Sequence, residues 1–237
     1  MRPSLTCSSF CCLALLLGES ASPATVSGRI DIAAKSHGER SQNSSEIVVW
    51  LEPADAADAP ALPTEHVTLL QKDKTFMPHV LAITVGSTVD FPNADPIFHN
   101  AFSVFDGQMF DVGLYPPGTS KAVRFHRPGV VRVFCNIHPS MSAVIVVLDT
   151  PYFTKMGREG EYEIANLPPG QYQLHFFDER QTAGDSKPVL LTVDSPQVSA
   201  PPMHLSERGY VRPPHKNKYG LDYPVDADSD SYAGPPR

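Results

Sequence analysis

Helix formers do not cluster anywhere in this chain, and no stretch of it is at once long, apolar and helix-periodic. That argues against a helical bundle and against a membrane-spanning helix, which needs roughly 20 apolar residues. No Lys/Arg stripe is present, and the formal net charge is -7, so nucleic acid is not an expected partner. No Ser-His-Asp arrangement, phosphate-cradling glycine loop or paired-carboxylate motif stands out, and the chain does not read as an enzyme. Cysteine is scarce: of four, Cys7, Cys11 and Cys12 lie close to the start, leaving Cys135 alone in the body of the chain. An internal disulfide there is excluded, and a ligand role for the single thiol becomes attractive.

Proline, by contrast, is abundant, with 24 residues beside 15 Gly. Together with short β-branched runs it points to an all-β protein of sandwiches and tight turns. The N-terminal segment has the features of an export signal: Arg2, an apolar core from Phe10 to Leu17, and small residues from Ser20 to Ala24. Cleavage is expected after Ala24, with Ala21 the competitor. Ser9-Phe10 before Cys11 fits a lipobox poorly, so residues 1–24 are expected to be a signal peptide on a protein exported to the periplasm or outside the cell. About 213 residues remain, enough for one large or two small domains.

Strand signals run along most of this remainder. TVSGRIDI (25–32) and IVVWL (47–51) come first, with the sequon Asn43-Ser44-Ser45 between them, and Ala54 to Pro63 reads as a loop. Further strands are expected at Val67–Gln71, Val80–Val85, Thr88–Phe91, Lys121–Phe125 and Val130–Cys135. Under period-2 geometry Val131, Val133 and Cys135 share the inward face of the last of these. Ser142–Asp149 is almost continuously apolar, as a strand buried on both faces would be. Later strands are expected at Gly160–Ala165, Tyr172–Phe177 and Val189–Val193, with Pro168-Pro169-Gly170 as a turn. From Ser206 to Arg237 the composition is that of a disordered tail.

The loop between two core strands, Cys135-Asn136-Ile137-His138-Pro139-Ser140-Met141, places a thiol, an imidazole and a thioether at three-residue intervals. His99, 36 residues upstream, offers a second imidazole. Two His, one Cys and a weak axial Met form the ligand set of a blue-copper site, soft enough for Cu(I) and acceptable to Cu(II). Zinc is the competitor, but its structural sites close with Cys and His without Met, so Met141 argues for copper. Cys135 taken alone fits a buried small hydrophobe equally well. Asn100 is a candidate to tie the two ligand-bearing segments together. His79 is left outside the ligand set, and Asp90, Asp95, Asp106 and Asp111 read as solvated loop charges.

The run from Val67 to Asp149 resembles the cupredoxin (plastocyanin/azurin) family, through TFMPHVLAITVGSTVDFPNADPIFHN and FHRPGVVRVFCNIHPSMSAVIVV. Cys-x-x-His-x-x-Met matches the short ligand loop of amicyanin. The likeness extends to exported bacterial plastocyanin-like proteins, some labelled as methylamine utilisation proteins. It implies a Greek-key β-sandwich over 64–149 and one mononuclear type 1 copper on His99, Cys135, His138 and Met141. It also implies an exposed His138 as electron exit, and electron transfer to an unidentified redox partner protein. The flanks VSGRIDI, IVVWLEP and GEYEIANLPPGQYQLHFFDER resemble the carboxypeptidase regulatory-like β-sandwich, a small transthyretin-like module without catalytic residues. Segments 25–53 and 150–200 are therefore expected to fold together around the copper domain. A copper-handling carrier and a purely structural module are the competing functions.

Overall fold

The computed structural model describes residues 23–33, 46–55, 57, 59–104, 107–185, 187–225 and 227. Residues 1–22 of the expected signal segment, the Asn43 sequon and residues 228–237 lie outside them, whereas Ala24, the last residue of that segment, is the buried first residue of β1. The fold is all-β, with no α-helix among the described residues. The strands are β1 (Ala24–Ala33), β2 (Val48–Pro53), β3 (His66–Thr68), β4 (Leu70–Lys72), β5 (Thr75–Met77), β6 (Val80–Thr84), β7 (Thr88–Pro92), β8 (Phe102–Ser103), β9 (Phe110–Asp111) and β10 (Ser120–Arg124). After them come β11 (Gly129–Phe134), β12 (Ser142–Leu148), β13 (Phe153–Lys155), β14 (Glu161–Leu167), β15 (Gly170–Phe177), β16 (Ala183–Gly184), β17 (Val189–Val193), β18 (Gln197–Ser199) and β19 (Met203–Ser206).

Strands from the two ends of the chain pair with each other. β14, β1, β19 and β16 form one sheet, with β18 also on β1; β13, β2, β15 and β17 form a second. Val26, Ile30, Ile164 and Leu205 from the first meet Val49, Leu51, Leu174 and Val193 from the second in one core. In β14 Tyr162 and Ile164 are buried, while Glu161 and Glu163 face water. This body runs past residue 200, because Ile30 to Ala33 of β1 pair in parallel with β19.

The middle of the chain forms a separate sandwich. β10-β7-β3 faces β6-β12-β11-β8-β9, with Val89 and Phe91 packing against Ile83, Val131, Val133, Ile145 and Val147. The β4–β5 hairpin turns at Asp73 and Lys74, both at φ 53°; two positive φ values in a row are what a twisted two-residue hairpin requires.

The continuous apolar run of β12 lies between the two bodies. Ala143, Ile145 and Val147 point into the middle sandwich, while Val144, Val146 and Leu148 meet Val48, Trp50, Phe153 and Phe177 of the outer one. An ionic cluster borders this contact: Glu179 lies 2.5 Å from His79 Nε2 and 2.6 Å from Arg132 Nη1.

Candidate metal centre

Strand alternation delivers the thiol. Val131, Val133 and Cys135 all face inward and are fully buried. β12 returns antiparallel with Ser142 opposite Phe134, so residues Cys135–Met141 form the connection. Two backbone hydrogen bonds close it: Cys135 N–H donates to the Met141 carbonyl (3.2 Å), and Met141 N–H to the His138 carbonyl (3.1 Å). His99 reaches the same place from the loop after β7. Its backbone exchanges hydrogen bonds with Tyr115 at 3.2 and 2.9 Å, and the Tyr115 hydroxyl donates to the Phe91 carbonyl at 2.9 Å.

The side chains converge. Nδ1 of His138 lies 3.6 Å from Cys135 Sγ, and Nδ1 of His99 lies 4.0 Å from it. The three donor atoms fall within 4.8 Å of one another. The imidazoles meet edge to face, 4.9 Å apart at 66°. His99 and Cys135 are 0% exposed, His138 is 5% exposed and Met141, at the far end of the connection, is 0% exposed. A thiol and two ring nitrogens aimed at one point in a dry pocket suit a soft or borderline metal ion, and the donor set fits copper.

His99 is oriented from behind. Its Nε2 lies 2.7 Å from Asp95 Oδ2, and the Asp95 carboxylate also accepts the N–H groups of Asp73 (2.6 Å) and Lys74 (2.9 Å) at the hairpin turn. Burial pushes the Asp95 carboxyl up, but the hydrogen bonds from Lys74, His99 and Asp73 outweigh it and hold it below its ordinary value. Burial lowers His99, with Asp95 opposing only in part. The ring is thus neutral near pH 7, with its proton directed at Asp95 and Nδ1 left with its lone pair toward Cys135.

Several expectations change here. Asp95 is a buried charge rather than a solvated one, and Asp111, though exposed, is held by three donors. Asp95 is the partner of His99, and Asp111 accepts from Asn100 Nδ2 (2.7 Å), Gly113 N–H (3.0 Å) and Lys218 Nζ (2.7 Å). Asn100 does not bond directly to the Cys135 connection; its amide goes to Asp111 and to the Gly113 carbonyl. His79 stands apart from the triad, its nitrogens taken by the Ser142 carbonyl and Glu179. His138 is buried rather than presented at the surface. The tail also departs from its composition. Residues 207–225 form no strand, yet His215, Lys218 and Tyr223 hydrogen-bond to the ligand connection. Two backbone carbonyls and the Asn136 side-chain oxygen, all far away in the chain, hold them, which composition cannot register. Asp106 lies outside the described residues.

Compared with known proteins, the sequence matches no protein-family model and no curated protein. Among solved structures the chain is similar to cupredoxins. A purple cupredoxin from Nitrosopumilus maritimus is 24% identical over 35% of this chain and 99% of its own, with a TM-score of 0.32. Amicyanin from Paracoccus versutus is 24% identical over 41% of this chain and 92% of its own, at a TM-score of 0.33. A copper-containing nitrite reductase from Thermus scotoductus is 31% identical over 41% of this chain, but only 25% of its own length is spanned, at a TM-score of 0.34.

Proposed function

We propose that this protein is an exported, non-enzymatic carrier of single electrons that holds one type 1 copper ion on His99, Cys135, His138 and Met141. The reading rests above all on one observation, the convergence of His99 Nδ1 and His138 Nδ1 on the buried sulfur of Cys135. Copper held by such ligands exchanges one electron between Cu(I) and Cu(II). The protein's own contribution is rigidity and dryness. Strand β11 fixes Cys135, two backbone hydrogen bonds shape the connection, and Asp95 sets the His99 ring. Ligands that do not move between oxidation states keep the reorganisation cost of electron transfer low.

Residues 1–21 serve as the export signal in this reading, since cleavage after Ala21 keeps Ala24 in β1 against Leu167, and a larger redox protein supplies and accepts the electron. The outer sandwich, with its regulatory-like flank sequences, is a non-catalytic module that carries the copper domain. Among the described residues no helix is long and apolar enough to cross a membrane.

The test is a visible absorption spectrum of the purified protein after Cu(II) addition, with ferricyanide and ascorbate as oxidant and reductant. An intense band that bleaches and returns is expected, and Cys135→Ser should abolish it while leaving a cooperative melt. Copper bound without such a band would replace electron transfer with copper handling. No copper bound would overturn the ligand assignment and leave a structural module.

A further inference from the structure

The ligand connection makes hydrogen bonds to a stretch of chain that no part of the electron-carrier reading uses. His215 Nε2 lies 2.8 Å from the Pro139 carbonyl oxygen. The Tyr223 hydroxyl donates to the Cys135 carbonyl at 2.8 Å, and Lys218 N–H donates to Asn136 Oδ1 at 3.0 Å. The ring of His215 stacks on Phe134, the residue before Cys135, with centroids 4.0 Å apart and planes at 27°, and Tyr223 closes on His215 edge to face at 5.2 Å. Three acceptors of one short connection are thus taken by residues 76 to 88 positions away in sequence.

Lys218 does more than touch the connection. While its N–H holds Asn136, its Nζ reaches Asp111 at 2.7 Å, and Asp111 in turn holds the amide of Asn100, the neighbour of His99. One residue of the tail therefore joins the segment carrying Cys135 and His138 to the segment carrying His99. That is the link sequence reasoning sought in Asn100.

We propose that residues 215–223 are a clamp whose His215, Lys218 and Tyr223 are positioning residues for the His99–Cys135–His138 triad, holding the ligand connection closed over the thiol. The inference deepens the copper reading and rests on it for its purpose, but the clamp itself is testable without metal. These residues lie outside the hydrophobic cores of both sandwiches, so loosening them opens the connection without unfolding the sheets.

The experiment uses the metal-free full chain and the rate at which iodoacetamide alkylates Cys135, followed on the Cys135 peptide by mass spectrometry. Tyr223→Phe, which removes only the hydroxyl, and His215→Phe, which keeps a stacking ring but removes the N–H, are each expected to raise that rate about fivefold or more. The melting temperature should stay that of the parent, and Val211→Ala, at an exposed residue before the clamp, should leave the rate unchanged. With copper loaded, the same two variants should shift the reduction potential, which a purely structural role would not move. Unchanged alkylation in both variants overturns the clamp and leaves the copper reading standing. Faster alkylation accompanied by a lower melting temperature also overturns it, by showing general destabilisation. Faster alkylation at an unchanged melting temperature in a protein that binds no copper sustains the clamp and overturns the copper reading alone.

Discussion

Asp95 Oδ2 lies 2.7 Å from His99 Nε2, while Nδ1 of the same ring faces Cys135 Sγ at 4.0 Å. A carboxylate held by two backbone N–H groups thus fixes the orientation of one proposed ligand from the side opposite the site. Asp95→Ala frees the ring to rotate and removes the acceptor that favours its Nε2–H tautomer. Copper affinity is expected to fall about 10- to 100-fold, measured by competition against a chelator of known affinity. Unchanged affinity would show that Asp95 serves only the hairpin turn.

Asp178 and Glu179 are adjacent but respond to pH with opposite sign. Burial raises the Asp178 carboxyl to about 6, with only the Arg180 N–H bonded to its Oδ1 at 2.9 Å. Its folded value stands above the unfolded one, so the stability linked to it is complete in acid and is lost as pH rises through about 6. Asp178→Asn is therefore expected to stabilise the protein at pH 8, by something on the order of 1 kcal/mol after allowing for partial exposure. The gain should vanish near pH 4 in thermal melts.

Glu179 behaves in reverse. Burial pushes its carboxyl up, but His79 and Arg132 pull it further down, so it ends below the ordinary glutamate value. Its contribution is present above that ordinary value and disappears as pH falls through the folded one. Glu179→Gln should cost about 1–3 kcal/mol at pH 7, and the loss should shrink in acid. Denaturant titrations at the two pH values check this.

β12 is buried on both faces, and that gives the fourth prediction. Ile145→Ala should cost about 2–5 kcal/mol by opening a cavity in the middle sandwich. Val146→Thr, on the opposite face, keeps the shape but buries a hydroxyl against the outer sandwich, and should cost about 1–3 kcal/mol. On a sheet face open to water the same change would be nearly neutral, so a neutral result in urea denaturation would mean the two bodies do not stay packed in solution.

Much of this was written locally in the chain. Period-2 alternation placed Val131, Val133 and Cys135 on one buried face, and the unbroken run from Ser142 marked a strand covered on both sides. The spacing of Cys135, His138 and Met141 put candidate ligands on one tight connection. The two- and three-residue strands β8, β9, β16 and β18 were not legible, because so short a segment has no period to read.

The sequence by itself determined the longer strands, the inward row that ends at Cys135 and the donor types on the connection after it, because a side chain's direction on a strand depends only on its neighbours. What surrounds those donors was decided by the tertiary structure alone. Asp95 is fixed beside His99 by the turn of a hairpin some 20 residues earlier, and His215, Lys218 and Tyr223 meet the ligand connection from more than 70 residues away. A carbonyl oxygen accepts a hydrogen bond from any donor the fold brings within reach, and nothing in the local sequence says which donor that will be.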